Sequence, residues 1–204
     1  MKHLMTGNEA AARGAYEAGL VVGAAYPGTP STEIFENLPL YRDDLYCEWS
    51  PNEKVATEVA YGASIAGVRS LCAMKHVGVN VAADPIFTAT YNGIGAGFVI
   101  VSADDPDMHS SQNEQDNRYY ARAAKMPMVE PSDSQECYDF LKEAFKLADK
   151  FRSPVLFRVT TRVCHSKCVM VRDTEREALR TGNFVKEPQL NVMIPAYAKM
   201  AHRR

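Results

Sequence analysis

The 204-residue chain has no excess of either charge, since 23 basic and 25 acidic residues leave a net charge of -2. Nucleic acid and anionic membrane are therefore not expected as partners, because there is no global field to attract either. No stretch approaches the roughly 18 uninterrupted apolar residues of a membrane span. The N-terminal MKHLMTGNEAAARG also lacks the apolar centre of a signal peptide. A soluble, cytoplasmic protein is the expectation. Five cysteines is an odd number, and Cys47 and Cys72 lie in apolar runs, so a disulfide framework is not expected. Cys164, His165 and Cys168 have no second Cys/His pair at zinc spacing, so no metal ligand set is assigned and these thiols read as incidental surface groups. Clustered cysteines of the kind that hold iron-sulfur clusters are missing, as are internal repeats, low-complexity tracts and any Gly-Asp-Gly tripeptide.

What is present is a globular composition, 46% hydrophobic and 24% charged, in a chain long enough for one buried core. Short apolar runs at 20–25, 46–49, 70–74, 98–102, 128–130 and 154–159 read as strands. Between them, 8–19, about 31–37, 51–67, 79–92, 113–124 and 134–150 read as helices, the first ended by Gly19. Strands that are apolar throughout and separated by helices predict an α/β fold: a doubly wound, mostly parallel sheet of about six strands with helices on both faces. That domain occupies residues 1–160. Residues 161–204 read as a charged, irregular extension with a short helix near 174–179, leading toward a domain that this chain does not contain.

Four segments follow predicted strands, where open α/β sheets bind ligands. In Tyr26-Pro27-Gly28-Thr29-Pro30-Ser31-Thr32, two prolines, a glycine and three hydroxyls make either a ligand edge or an ordinary turn, with Ser31 or Thr32 as helix cap. Glu53 falls in the first turn of a helix whose Ala56, Ala60, Gly62, Ala63 and Gly67 leave room for a close neighbour. It reads equally as a dipole-favoured acid or as the capping-box partner of Ser50. Met74-Lys75-His76-Val77-Gly78-Val79-Asn80 offers Lys75 and His76 to an anion, with Gly78 easing a turn. The stretch from Asp104 to Asp116, which includes His109 and Gln112, is a solvated loop or a ligand-binding one.

These four segments stand in the same order as in the large subunit of the indolepyruvate:ferredoxin oxidoreductases. Over roughly residues 5 to 200 the chain resembles the N-terminal pyrimidine-binding domain of that thiamine-diphosphate-dependent 2-oxoacid:ferredoxin oxidoreductase family. The resemblance implies oxidative decarboxylation of a 2-oxoacid, an aryl pyruvate by preference, to an acyl-CoA with electrons passed to ferredoxin. It makes Glu53 the catalytic glutamate that hydrogen-bonds N1′ of the cofactor's aminopyrimidine, so that the 4′-imino tautomer is favoured. Pro27, Gly28 and Thr29 would then border the cofactor, and Thr29 would also donate to the substrate carboxylate. Where pyruvate-type relatives carry an arginine for that carboxylate, this chain has Asp104-Asp105-Pro106, which leaves Lys75, His76, His109 and Gln112 as candidate substrate-binding residues.

The family holds the diphosphate and its Mg2+ with a Gly-Asp-Gly motif that is missing here, so a pyrophosphate-binding domain or subunit is the implied partner. Iron-sulfur clusters, coenzyme A and a ferredoxin-type electron carrier would enter only in the assembled enzyme, a homo- or hetero-oligomer of which this chain is one piece or one split subunit. Two other readings share the fold: half of a non-oxidative thiamine-diphosphate decarboxylase, and a non-catalytic α/β binding module.

Overall fold

In the computed structural model, which describes residues 2–172, 175–179 and 181–203, the chain opens with strand β1 (Lys2–Thr6) and helix α1 (Gly7–Glu17). A capping box starts α1: the Glu9 N–H donates to the Thr6 hydroxyl at 3.1 Å and the Thr6 N–H donates to the Glu9 carboxylate at 2.7 Å. Next come β2 (Val22–Ala25), α2 (Thr32–Asn37), β3 (Tyr46–Trp49), α3 (Glu53–Ile65) and β4 (Ser70–Lys75). After these follow α4 (His76–Val81), α5 (Ala83–Asn92), β5 (Phe98–Asp104), α6 (Arg118–Ala124), β6 (Met128–Val129), α7 (Ser134–Phe151) and β7 (Val155–Thr160). The chain then forms α8 (Thr161–His165), β8 (Lys167–Val171), α9 (Pro188–Asn191) and α10 (Pro195–Ala201).

The six strands predicted from apolar runs form one sheet in the order β3-β2-β4-β5-β7-β6, with every pairing parallel. Helix α1 packs against both α2 and α7 on one face, and α3, α4, α5 and α6 lie on the other. This is the doubly wound α/β arrangement that the alternation of elements predicts. The central strand β5 is buried at all seven positions, Phe98 to Asp104, which is why it reads as a continuous apolar run.

Four local differences have physical causes. The predicted helix at 79–92 is two helices divided at Ala82, where Pro85 has no N–H to give to the Val81 carbonyl. The helix expected from residue 113 begins only at Arg118, because Asn113, Gln115 and Asn117 bind α4 instead of continuing the turn. β5 continues past Ser102 to Asp104, whose carboxylate is buried against Arg158. An antiparallel ribbon pairs β1 with β8, Leu4 opposite Val169; it joins the two ends of the fold and has no local sequence signature.

Residues 175–179 form an irregular strap rather than a helix, and Thr174 lies outside the described residues. The strap runs under the N-terminal ends of the strands, where the Glu177 N–H donates to the Glu17 carbonyl at 2.8 Å and the Arg176 guanidinium donates to the carbonyls of Tyr16 and Leu20. Gly67, at φ 93, lets the strap approach, since a Cβ there would lie 2.8 Å from the Asn183 nitrogen.

Candidate functional site

The strand order reverses between β2 and β4: β3 lies on one side of β2, and β5, β7 and β6 lie beyond β4. A crevice opens at the C-terminal ends of adjacent parallel strands where their connections diverge, and that is where open α/β sheets hold ligands. The Tyr26–Ser31 loop leaves β2 at this point, Lys75 ends β4, and the long polar loop leaves β5 next door.

Gly28 is the pivot of the first loop. Its N–H donates to the Thr32 hydroxyl at 2.9 Å, and its carbonyl accepts from both the N–H and the hydroxyl of Ser31 at 2.9 Å. The hydroxyls expected to cap α2 therefore turn back to the loop and make no cap bond. A Cβ on Gly28 would stand 3.1 Å from Lys75 Cβ, so the loop lies directly against the end of β4. Pro27 and Thr29 project outward and are exposed.

Glu53 is the first helical residue of α3, and both bland readings of it can be checked. Asn52 is the cap, its side-chain oxygen accepting the Val55 N–H at 2.9 Å. Ser50 is committed elsewhere: its N–H donates to the Ala25 carbonyl and its hydroxyl to Glu48. No capping box forms, and the half-buried Glu53 carboxylate has no hydrogen-bond or ion-pair partner among the described residues. The positive end of the helix dipole offers it local compensation. Glu53 lies across Gly78 of α4, where a Cβ would stand 2.6 Å from both Glu53 Cγ and Oε1. Gly78 thus does not ease a turn; it makes the space that the glutamate occupies.

His76 is fully buried at the start of α4. Its Nε2 is 3.1 Å from the Asn113 carbonyl oxygen, which can only accept, so Nε2 is assigned a hydrogen. Nδ1 is buried without a partner among the described residues. His109 and Gln112 sit on the exposed outer part of the β5 loop. The structure thus gathers Gly28, Lys75, His76, Gly78 and Glu53 at the crevice, with Thr29 at its rim, and leaves His109 and Gln112 on the loop that covers one side.

That loop is held from below by a buried polar network that sequence reasoning missed. Asp104, fully buried, accepts from Arg158 Nε at 2.7 Å, from the Asn117 N–H at 3.0 Å and from the Ser102 hydroxyl at 3.0 Å. The Asn117 amide donates to Ser102 and to the His76 carbonyl, and Gln115 donates to the same carbonyl at 2.9 Å. Burial alone pushes the Asp105 carboxyl up, but hydrogen bonds from the Ser111 hydroxyl, the Ser110 N–H and the Thr161 hydroxyl outweigh it and hold the group well below the usual carboxylate range. The signal available in the sequence was Arg158 itself, a charge inside the apolar run Val155–Val159, which needs a buried partner.

The cysteines do not contribute. Burial pushes the Cys47 and Cys72 thiols up to about 12, so neither is a thiolate at neutral pH. Cys164, expected at the surface, is 1% exposed and its thiol is likewise pushed up by burial. Among the described residues no cluster of His, Cys, Asp or Glu could hold a metal ion, and no helix is long and apolar enough to cross a membrane.

Comparison with known proteins gives the family. The family described as pyruvate flavodoxin/ferredoxin oxidoreductase, thiamine diphosphate-binding, matches residues 13–198. The indolepyruvate oxidoreductase subunit IorA of Archaeoglobus fulgidus is 53% identical over 206 residues, covering 97% of this chain and 33% of that protein. The IorA subunit of Pyrococcus horikoshii is 45% identical over 208 residues, covering 98% of this chain and 32% of its own length. The chain therefore spans about a third of these curated relatives. The 2-oxoglutarate synthase subunit KorA of Methanothermobacter thermautotrophicus is 32% identical over 76% of this chain and 43% of its own length. In structure, a 2-oxoglutarate:ferredoxin oxidoreductase from Magnetococcus marinus, solved with 2-oxoglutarate, coenzyme A and succinyl-CoA bound, superposes with a TM-score of 0.80 over 99% of this chain and 43% of that one. At 18% identity this likeness speaks for the fold alone. With a family match across nearly the whole chain and a crevice of the expected construction at the switch point, this chain belongs to the thiamine-diphosphate-binding family of the pyruvate flavodoxin/ferredoxin oxidoreductases.

Proposed function

We propose that this domain forms the aminopyrimidine half of the thiamine diphosphate site of a 2-oxoacid:ferredoxin oxidoreductase that acts on aryl 2-oxoacids such as indolepyruvate. The observation that carries the reading is Glu53: a carboxylate at a helix start, seated over Gly78 and left without a partner among the described residues at the crevice. A protonated ring nitrogen is the kind of donor that such an acceptor lacks, so the residues fit the cofactor. When bound, thiamine diphosphate supplies a carbon nucleophile toward the 2-oxoacid carbonyl. Glu53 holds a proton at the N1′ position, and the Pro27-Gly28-Thr29 loop borders the ring and orients its neighbour. Thr29, His76, His109 and Gln112 are the candidate substrate contacts in this reading.

In this reading residues 1–160 are the pyrimidine-binding domain and residues 161–204 lead toward the part that binds the diphosphate and its Mg2+. Coenzyme A, iron-sulfur clusters and ferredoxin join in the assembled oligomer. A cytoplasmic setting suits an enzyme that hands electrons to ferredoxin. The test is titration of the assembled enzyme with thiamine diphosphate and Mg2+, followed by turnover with phenylpyruvate, for the natural protein and Glu53→Gln. Glu53→Gln keeps the shape and removes the proton-sharing acid, so turnover should fall by about 10²- to 10⁴-fold with the fold intact. Normal turnover in that variant would refute the reading. Carbon dioxide release without ferredoxin reduction would favour the non-oxidative decarboxylase instead.

A further inference from the structure

Lys75 is the last residue of β4, so its side chain leaves the sheet at the crevice between β2 and β4. Its stem runs along Gly28: a Cβ on that glycine would lie 3.1 Å from Lys75 Cβ and 3.7 Å from Cδ. The ammonium ends on the backbone carbonyl of Ser110 at 2.6 Å. A carbonyl carries only partial charge and takes one of the three ammonium donors, so a full positive charge and two N–H directions are left over. No carboxylate pairs with Lys75 among the described residues. The neighbouring cation at this end of the sheet is handled differently, since Arg158 is pinned between Asp104 at 2.7 Å and Glu130 at 2.6 Å.

The geometry points to Lys75 as the residue that receives the carboxylate of the 2-oxoacid substrate. The inference rests on the thiamine reading of the crevice and narrows the candidates within it. His76 is sealed from solvent, and its Nε2 is already committed to the Asn113 carbonyl. His109 and Gln112 are exposed on the loop, and among the described residues no side-chain hydrogen bond holds either toward the crevice. Lys75 is half-buried and its stem lies against Gly28, the residue that precedes Thr29. The Ser110 contact keeps the ammonium in place before an anion arrives, so little side-chain freedom remains to be lost on binding. An ammonium in this position also suits a phosphate oxygen of the cofactor, and the experiment separates the two anions.

In the assembled enzyme, the natural protein is compared with Lys75→Met, which keeps the stem and removes the charge, and with Lys75→Arg, which keeps the charge. Three quantities are measured: KM for phenylpyruvate, the calorimetric Kd for 3-phenylpropionate, an aryl carboxylate with no oxo group, and the Kd for thiamine diphosphate with Mg2+. Lys75→Met should raise the first two by about 10- to 100-fold, the range for a hydrogen bond to a charged group, and leave the third within about twofold. Lys75→Arg should recover most of the loss. Should Lys75→Met melt well below the natural protein, Lys75→Gln takes its place under the same criteria. Unchanged phenylpyruvate KM and 3-phenylpropionate Kd would overturn the inference while leaving the cofactor site standing. Weakened thiamine diphosphate binding with 3-phenylpropionate unaffected would assign the charge to the diphosphate and overturn it as well. Failure of the natural enzyme to bind thiamine diphosphate would overturn the reading of the crevice, and this inference with it.

Discussion

At the base of the sheet Arg69 is 5% exposed, and each nitrogen of its guanidinium is answered: Nε and NH2 by Asp149, NH1 by Glu177 and by the Ala18 carbonyl. At the opposite end, among the described residues, the Glu53 carboxylate has no partner and the Lys75 ammonium has only a carbonyl. The base shows what a purely structural charge looks like, because an ion brought out of water is stable only when its hydrogen bonds are filled. The crevice shows charges that the fold positions but does not fill. Groups left unfilled beside well-satisfied ones are poised for something that arrives later. Asp104 sharpens the contrast, since it is at the mouth yet saturated by Arg158, Asn117 and Ser102, and its role is to hold the loop.

Removing the hub of the base should have the largest effect on stability. Arg69→Met leaves Asp149 and Glu177 without their cation, and the expected loss is about 3 kcal/mol, read as a lower urea midpoint with an unchanged slope. Thiamine diphosphate affinity of the assembled enzyme should not move; a parallel loss would erase the distinction between the two ends. Gly78→Ala tests the mouth in the other direction. A Cβ there meets Glu53 Cγ and Oε1 at 2.6 Å, so the carboxylate must shift and turnover should fall about tenfold, or about 1.4 kcal/mol of barrier. Stability should hold or rise, because alanine is favoured over glycine in a helix by about 1 kcal/mol. A variant that instead unfolds early with normal turnover would make Gly78 a packing residue only.

The smallest effect concerns the loop floor. Asp105→Asn weakens the bonds from Ser111, Ser110 and Thr161 and should lower stability by about 1 kcal/mol at pH 7. Its carboxyl is depressed in the folded protein, so the stabilisation is present above the unfolded value of about 3.9 and is lost as pH falls toward the folded one. The gap between natural protein and variant should stay constant from about pH 5 to 7 and shrink below about pH 4. A gap that is flat down to pH 2 would show that the Asp105 hydrogen bonds do not depend on its charge.

Much of the sheet was legible because buried parallel strands are apolar at every position, and β5 and β7 announce themselves as runs such as Phe98–Ser102 and Val155–Val159. Glu53 was legible as a position but ambiguous as a role. A first-turn glutamate after Ser50 fits a capping box until Asn52 is seen to cap the helix and Ser50 to bond Ala25 and Glu48. The Asn113–Asn117 stretch was misjudged because its side chains bind partners nearly forty residues away, which no local propensity records. Gly78 looked like a turn residue for the same reason, since what it accommodates belongs to another helix.

The sequence by itself determined the class of fold, the order of its strands along the chain and the residue types available at the loop ends, since these follow from local hydrophobic period and turn chemistry. Only the tertiary structure decided which of those residues share a crevice and which are already spoken for. Strand order in the sheet, the β1–β8 ribbon, the pairing of Arg158 with Asp104 and the isolation of Glu53 and Lys75 all depend on contacts distant in sequence. Whether a charged side chain is structural or open to a ligand is settled by its partners, and partners are fixed only when the chain has closed on itself.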